Sequence, residues 1–103
     1  PGVQRIVLTS AQSEAVSAGV RQMVTNPDTA RLSAVTAITK AENPAVQVCG
    51  YVKTRDAGGK DGPDLRFYVE LLEKEGKPDA ARGQVGDMPT DRSKVEFMCR
   101  FNG

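Results

Sequence analysis

Residues 48–71, VCGYVKTRDAGGKDGPDLRFYVEL, contain two β-strand patterns joined by a glycine-rich loop. The first pattern belongs to a strand over residues 46–54, in which Val46, Val48 and Val52 share one face. The second covers residues 65–73 and alternates apolar with polar residues. Because the connection between them has no helical pattern, the two strands are expected to be antiparallel neighbours.

A helix is predicted over residues 10–25, before the strands. Thr9 and Gln12 match a capping box at its start. Val16 and Val20 fall at helical spacing and would form part of a buried stripe. The helix therefore has one apolar face to pack on a sheet.

Two more strands are predicted, over residues 34–40 and 94–101. The second of them, KVEFMCRF, alternates and would point four residues inward: Val95, Phe97, Cys99 and Phe101. Residues 3–8 form either a short strand or an extended lead-in, and residues 75–92 read as a long polar connection. The sequence thus predicts a single α+β domain over residues 1–103, with the N-terminal helix packed on an antiparallel sheet of three to four strands.

Charge and hydropathy exclude several classes of function. The 103 residues carry a formal net charge of +1, from 14 basic and 13 acidic residues, so no strong field attracts nucleic acid. No apolar run approaches the roughly 20 residues that a membrane-spanning helix needs. No signal peptide is visible at the start, PGVQRIVLTS, and we expect any leader to have been removed or to lie outside this chain.

Catalytic and metal-binding constellations are missing from the sequence. The chain has no histidine, which removes the usual nucleophile–histidine pairs and the commonest zinc ligand. Two cysteines alone cannot complete a structural zinc site. We therefore expect a non-enzymatic protein with no catalytic residues, no cofactor and no metal.

The glycine-rich loop does not match a phosphate or calcium motif. Asp61 stands where a P-loop has Ser or Thr, and a strand rather than a helix follows the loop. Phe67 occupies the position of the bidentate glutamate of a calcium loop. The loop is either a solvated connection or a recognition element, and its candidate recognition residues are Arg55, Asp56, Lys60 and Asp61.

Two cysteines, Cys49 and Cys99, are compatible with one disulfide or with two buried thiols. A straight strand places Cys49 on the face opposite Val48, which is awkward if Cys99 points into the apolar core. A β-bulge at Gly50 would reconcile the two positions.

Several short motifs resemble those of small exported proteobacterial proteins of unknown function. These motifs are PDTARL over residues 27–32, CGYVKTRD over 49–56, a glycine-rich stretch over 58–62, FYV over 67–69 and a late cysteine, Cys99. The resemblance implies a periplasmic or secreted location and a Cys49–Cys99 disulfide. It implies no activity.

The function expected from these observations is protein–protein contact in the cell envelope. The partner would be another envelope protein or a second copy, paired through an edge strand at residues 34–40 or 94–101. One alternative is an inhibitor of a secreted lysozyme or protease that uses the loop of residues 54–64. Another is a small cytosolic protein with buried free thiols.

Overall fold

The computed structural model describes residues 2–102 and confirms the α+β class. The elements along the chain are β1 (Val3–Ile6), α1 (Ser10–Arg21), a short 3-10 helix (Pro27–Thr29), β2 (Arg31–Lys40), β3 (Val46–Lys53), β4 (Leu65–Lys74), β5 (Lys77–Val85) and α2 (Pro89–Met98). The strands form one antiparallel sheet in the order β1-β2-β3-β4-β5.

The first helix packs on one face of the sheet, here called the first face. The Thr9 hydroxyl accepts the Gln12 N–H and the Gln12 side chain accepts the Thr9 N–H, so the predicted capping box is present. Val16 and Val20 are buried against apolar side chains of β2 to β5. The helix ends at Arg21 rather than near residue 25.

The prediction of a strand at residues 94–101 is wrong, because this segment contains the last half of α2. Val95 and Cys99 are four residues apart, as are Phe97 and Phe101. Two helical pairs offset by two residues therefore produce the same alternation as a strand. In the structure Val95 and Cys99 are buried, whereas the two phenylalanines are exposed.

The sheet also contains two strands that the sequence did not establish. Residues 3–6 form β1, so the first of the two alternatives predicted for residues 3–8, a short strand, is correct. The polar segment KPDAARGQV forms β5, joined to β4 by a two-residue turn. Both turn residues, Glu75 and Gly76, have positive φ, as a tight hairpin with a right-handed strand twist requires.

The predicted bulge at Gly50 is also wrong. Strand β3 runs through Gly50 with an unbroken register to β4, and the irregularity lies in β2 between Ser33 and Thr36. Close packing explains the glycine at position 50, because a Cβ there would lie 2.9 Å from the Phe67 ring and 3.1 Å from the Ser33 oxygen.

Candidate interaction site

The second face of the sheet is covered by α2 and the disulfide. Cys49 does point away from Val48, and it bonds Cys99 with an S–S distance of 2.02 Å and a Cα–Cα distance of 6.0 Å. Both cysteines are buried, together with Tyr68 and Val95. The predicted disulfide therefore forms without a bulge, because α2 brings Cys99 to the face on which Cys49 lies.

The glycine-rich loop is closed by its own hydrogen bonds. The Asp56 carboxylate accepts the backbone N–H groups of Gly58 and Lys60, each at 2.9 Å. The Asp56 N–H donates to the Lys60 oxygen. Two of the predicted recognition residues thus shape the loop, and the Lys60 side chain remains exposed.

Asp61 attaches the loop to the sheet. Its carboxylate accepts hydrogen bonds from Arg31 of β2 and from Arg55. The Arg31 hydrogen bond is the main reason why the pKa of Asp61 lies below its ordinary value of 3.8. Arg55 and Asp61 are therefore paired with each other in the loop.

The short 3-10 helix holds the other side of the loop. Thr29 accepts the Arg55 N–H at 2.8 Å, and the Asn26 side chain donates to the Arg55 oxygen at 2.8 Å. The structure brings all four predicted recognition residues into one ordered loop. Their role in recognition remains a prediction.

A surface that the sequence did not predict lies at the end of α2. Its residues are Lys40, Phe97, Arg100 and Phe101, and we call it the Phe97–Phe101 cluster. Phe97 is 61% exposed and Phe101 is 47% exposed. The Arg100 guanidinium lies 3.9 Å from the centre of the Phe97 ring and 4.5 Å from that of Phe101. Lys40 lies 5.3 Å from the Phe101 ring.

The cluster is cationic as well as aromatic. Arg5 adds a third positive charge beside it, because its guanidinium donates to the Asn102 oxygen just beyond Phe101. Within residues 2–102, Arg5, Lys40 and Arg100 form no salt bridge with a carboxylate. The prediction that Phe97 and Phe101 point inward is wrong. The signal that indicates a helix here is the sequence PTD, in which Pro89 occupies the first helical position.

Among residues 2–102, no strand pairs with the outer side of β1, which is therefore an open sheet edge. Because Ala41 donates its N–H to the Gly2 oxygen, these residues form a hydrogen-bonded pair. Such pairs alternate along an antiparallel ladder, so Gln4 and Ile6 bond inward to β2. Val3 and Arg5 consequently direct their N–H and C=O groups away from the sheet.

The opposite edge, β5, is better protected against pairing. It contains Pro78, and its register with β4 shifts between Glu70 and Leu71, which leaves Ala81 without a direct partner. Proline, bulges and charged residues are features that block edge pairing in natural sheets. The predicted edges at residues 34–40 and 94–101 are therefore wrong: β2 lies between β1 and β3, and the second segment is largely helical.

Two surface clefts lie near the start of α2. One, of about 480 Å³, has an apolar wall that includes Val52 and Leu65, with Asp87 and Asp91 at its side. The other, of about 360 Å³, is lined by Arg66 and Arg92 together with acidic side chains. Within residues 2–102, no group of three His, Cys, Asp or Glu residues could hold a metal.

No family model, curated protein or solved structure matches this chain. The resemblance to small exported proteins therefore remains a prediction. In the part of the chain that the structure describes, no helix is long and apolar enough to cross a membrane. A structural disulfide is consistent with an oxidising, extracytoplasmic compartment.

Proposed function

We propose that this domain is a non-enzymatic interaction protein of the cell envelope, periplasmic or secreted, that binds another protein through the edge of β1. The observation that carries the proposal is the open edge at Val3 and Arg5 beside the Phe97–Phe101 cluster, to which Val3 is linked through its pairing with Lys40. An unpaired strand supplies backbone hydrogen bonds to an incoming strand, and neighbouring aromatic side chains supply apolar contact area.

The aromatic side chains favour protein contact over a purely structural role. Phe97 and Phe101 are two of only three phenylalanines in the chain, and the third, Phe67, is fully buried. Aromatic residues and arginine are both enriched at the centres of protein interfaces. The compartment is supported by the disulfide, since such bonds persist where the environment is oxidising.

Photocrosslinking in the cells that produce the protein tests this proposal. A photoreactive amino acid at Val3 is expected to give a specific covalent adduct with another protein. The matched control carries the same amino acid at Glu75, in the exposed β4–β5 turn, and should give none. Absence of an adduct at Val3, or the same adducts at both positions, would refute contact through β1.

A second candidate function is inhibition of a secreted hydrolase by residues 54–64. The observation that favours it is the hydrogen-bonded order of the loop, since a preorganised loop loses less conformational entropy on binding. Assays against a panel of lysozymes and proteases, with Lys60→Ala as the loop variant, test it. No inhibition by the unmodified protein across the panel would remove this candidate.

A further inference from the structure

We infer that the partner segment bound by β1 is an acidic extended strand, rather than a second copy of this chain. The inference rests on the proposed function, because it specifies the chemistry of the partner for the same edge. It follows from where the unpaired backbone groups lie and from the charges that surround them.

The backbone of β1 can hold a short strand. Val3 and Arg5 together offer two N–H donors and two C=O acceptors on the outer side of the sheet. Residue pairs that face each other across a ladder point to the same face. Because Val3 pairs with Lys40 and Arg5 with Ile38, the side chains of Val3 and Arg5 lie on the second face, where α2 also packs.

The side chains next to that edge are apolar and positively charged. Val3 is 39% exposed and lies opposite Lys40, which in turn contacts the Phe101 ring. A strand added to β1 would place every second side chain on this face, next to Val3 and Arg5. Carboxylates at those positions would pair with Arg5, Lys40 or Arg100, none of which has a carboxylate partner within residues 2–102.

The same charges disfavour pairing with a second copy. A two-fold axis through Gln4 would pair Val3 of one copy with Arg5 of the other, with both α2 helices on the same side of the extended sheet. The two sets of Arg5, Lys40 and Arg100 would then meet across the new strand pair. Like charges brought together at an interface oppose association, so the charge pattern favours an acidic partner.

Binding of defined peptides to the full chain tests the inference. The probe is a fluorescein-labelled eight-residue peptide of alternating glutamate and valine, and its matched control replaces each glutamate by lysine. Fluorescence anisotropy is expected to show at least tenfold tighter binding of the glutamate peptide. Raising the salt concentration should weaken this binding, because the attraction is partly ionic.

Two variants separate the backbone contribution from the charge contribution. Val3→Pro removes an N–H that points outward, and Arg100→Ser removes a charge between the two rings. Each is expected to weaken binding of the glutamate peptide at least tenfold. Arg82→Ser, on the exposed part of β5, is the charge control and should leave binding unchanged. Unfolding in urea establishes that each variant is folded.

Three results would overturn the inference. The first is absence of binding by the glutamate peptide. The second is equal binding of both peptides, which would leave contact through β1 standing while removing the acidic preference. The third is binding to phosphatidylglycerol vesicles that Val3→Pro does not weaken, with no preference between the peptides. That result would assign the cluster to an anionic lipid surface. The crosslinking at Val3 tests the proposed function independently of all three.

Discussion

Cys99 follows the last turn of α2 and is bonded to Cys49 in the middle of β3, across a sequence separation of 50 residues. The bond holds α2 against the second face of the sheet, where few other apolar side chains are buried. The position of the Phe97–Phe101 cluster therefore depends on the disulfide as well as on packing.

Removal of the disulfide is expected to destabilise the protein strongly. The double variant Cys49→Ala, Cys99→Ala should lower the free energy of unfolding by about 2–5 kcal/mol, because a long loop is no longer closed in the unfolded chain. Urea unfolding measures the change. Reductant should destabilise the original protein by a similar amount and leave the double variant unchanged. Equal stability with and without the bond would contradict this prediction.

Gly19 is expected to be required by the close approach of α1 to β5. A Cβ at Gly19 would lie 2.6 Å from the Ala80 Cβ. Gly19→Ala should therefore destabilise the fold by about 1–3 kcal/mol through overpacking, although alanine favours a helix by about 1 kcal/mol over glycine.

Replacing Ala80 by glycine tests whether its contact with residue 19 causes this loss of stability, because the substitution removes the Ala80 Cβ. In urea unfolding, the double variant Gly19→Ala, Ala80→Gly should recover much of the stability lost by Gly19→Ala alone. Simple addition of the two separate losses would show that the contact between these positions is not responsible.

Asn102 is expected to anchor the segment after α2. It is 1% exposed, and its side-chain nitrogen donates to the Thr36 and Gln47 oxygens, each at 3.2 Å. Asn102→Ala should cost about 1–3 kcal/mol, because the buried side chain loses its hydrogen bonds to these two oxygens. Urea unfolding provides the measurement, with the exposed residue Ser93→Ala as a control. A loss no larger than that of the control would refute the anchoring role.

The Asp61 contacts are expected to make stability depend on pH in the acidic range. Because the pKa of Asp61 in the folded protein lies below 3.8, its stabilising contribution is fully present above that pH. It is lost as the pH falls through the lower folded pKa. The contribution is small, since the group is exposed to solvent and its ion pairs are screened.

Thermal unfolding of the original protein and of Asp61→Asn tests this dependence. The difference in Tm between them should be present at pH 7 and disappear towards pH 2, whereas Lys60→Gln on the same loop should follow the original protein. A constant difference at every pH would refute the assignment to the Asp61 carboxylate.

The elements predicted correctly from the sequence are those in which local pattern and burial agree. Thr9 and Gln12 mark the start of α1, and β3 and β4 alternate because their first face is buried. β5 was missed because an edge strand with Pro78 and several charges has little apolar periodicity. The Glu75–Gly76 turn is the local feature that could have revealed the hairpin.

The candidate site was not predicted, because it depends on two features that the spacing of apolar residues does not show. The helical spacing of Phe97 and Phe101 also satisfies a strand pattern, so only the presence of α2 shows that these side chains are exposed. The open edge depends on β1, four residues long, lying outside β2. The loop residues Arg55, Asp56, Lys60 and Asp61 were correctly placed together, since they are close in sequence.

The order of the strands in the chain and in the sheet indicates when the disulfide forms during folding. Each strand pairs with the one before it in the chain, and no helix interrupts the chain between β2 and β5. These four strands can therefore assemble stepwise through local pairings, whereas β1 is joined to β2 through α1. Cys99 comes after every strand, and α2 docks on a face that β3 and β4 have already built. We therefore expect oxidation to be a late event in maturation. Until then Cys49 would remain a free thiol, and α2, with the aromatic residues at its end, would still be undocked.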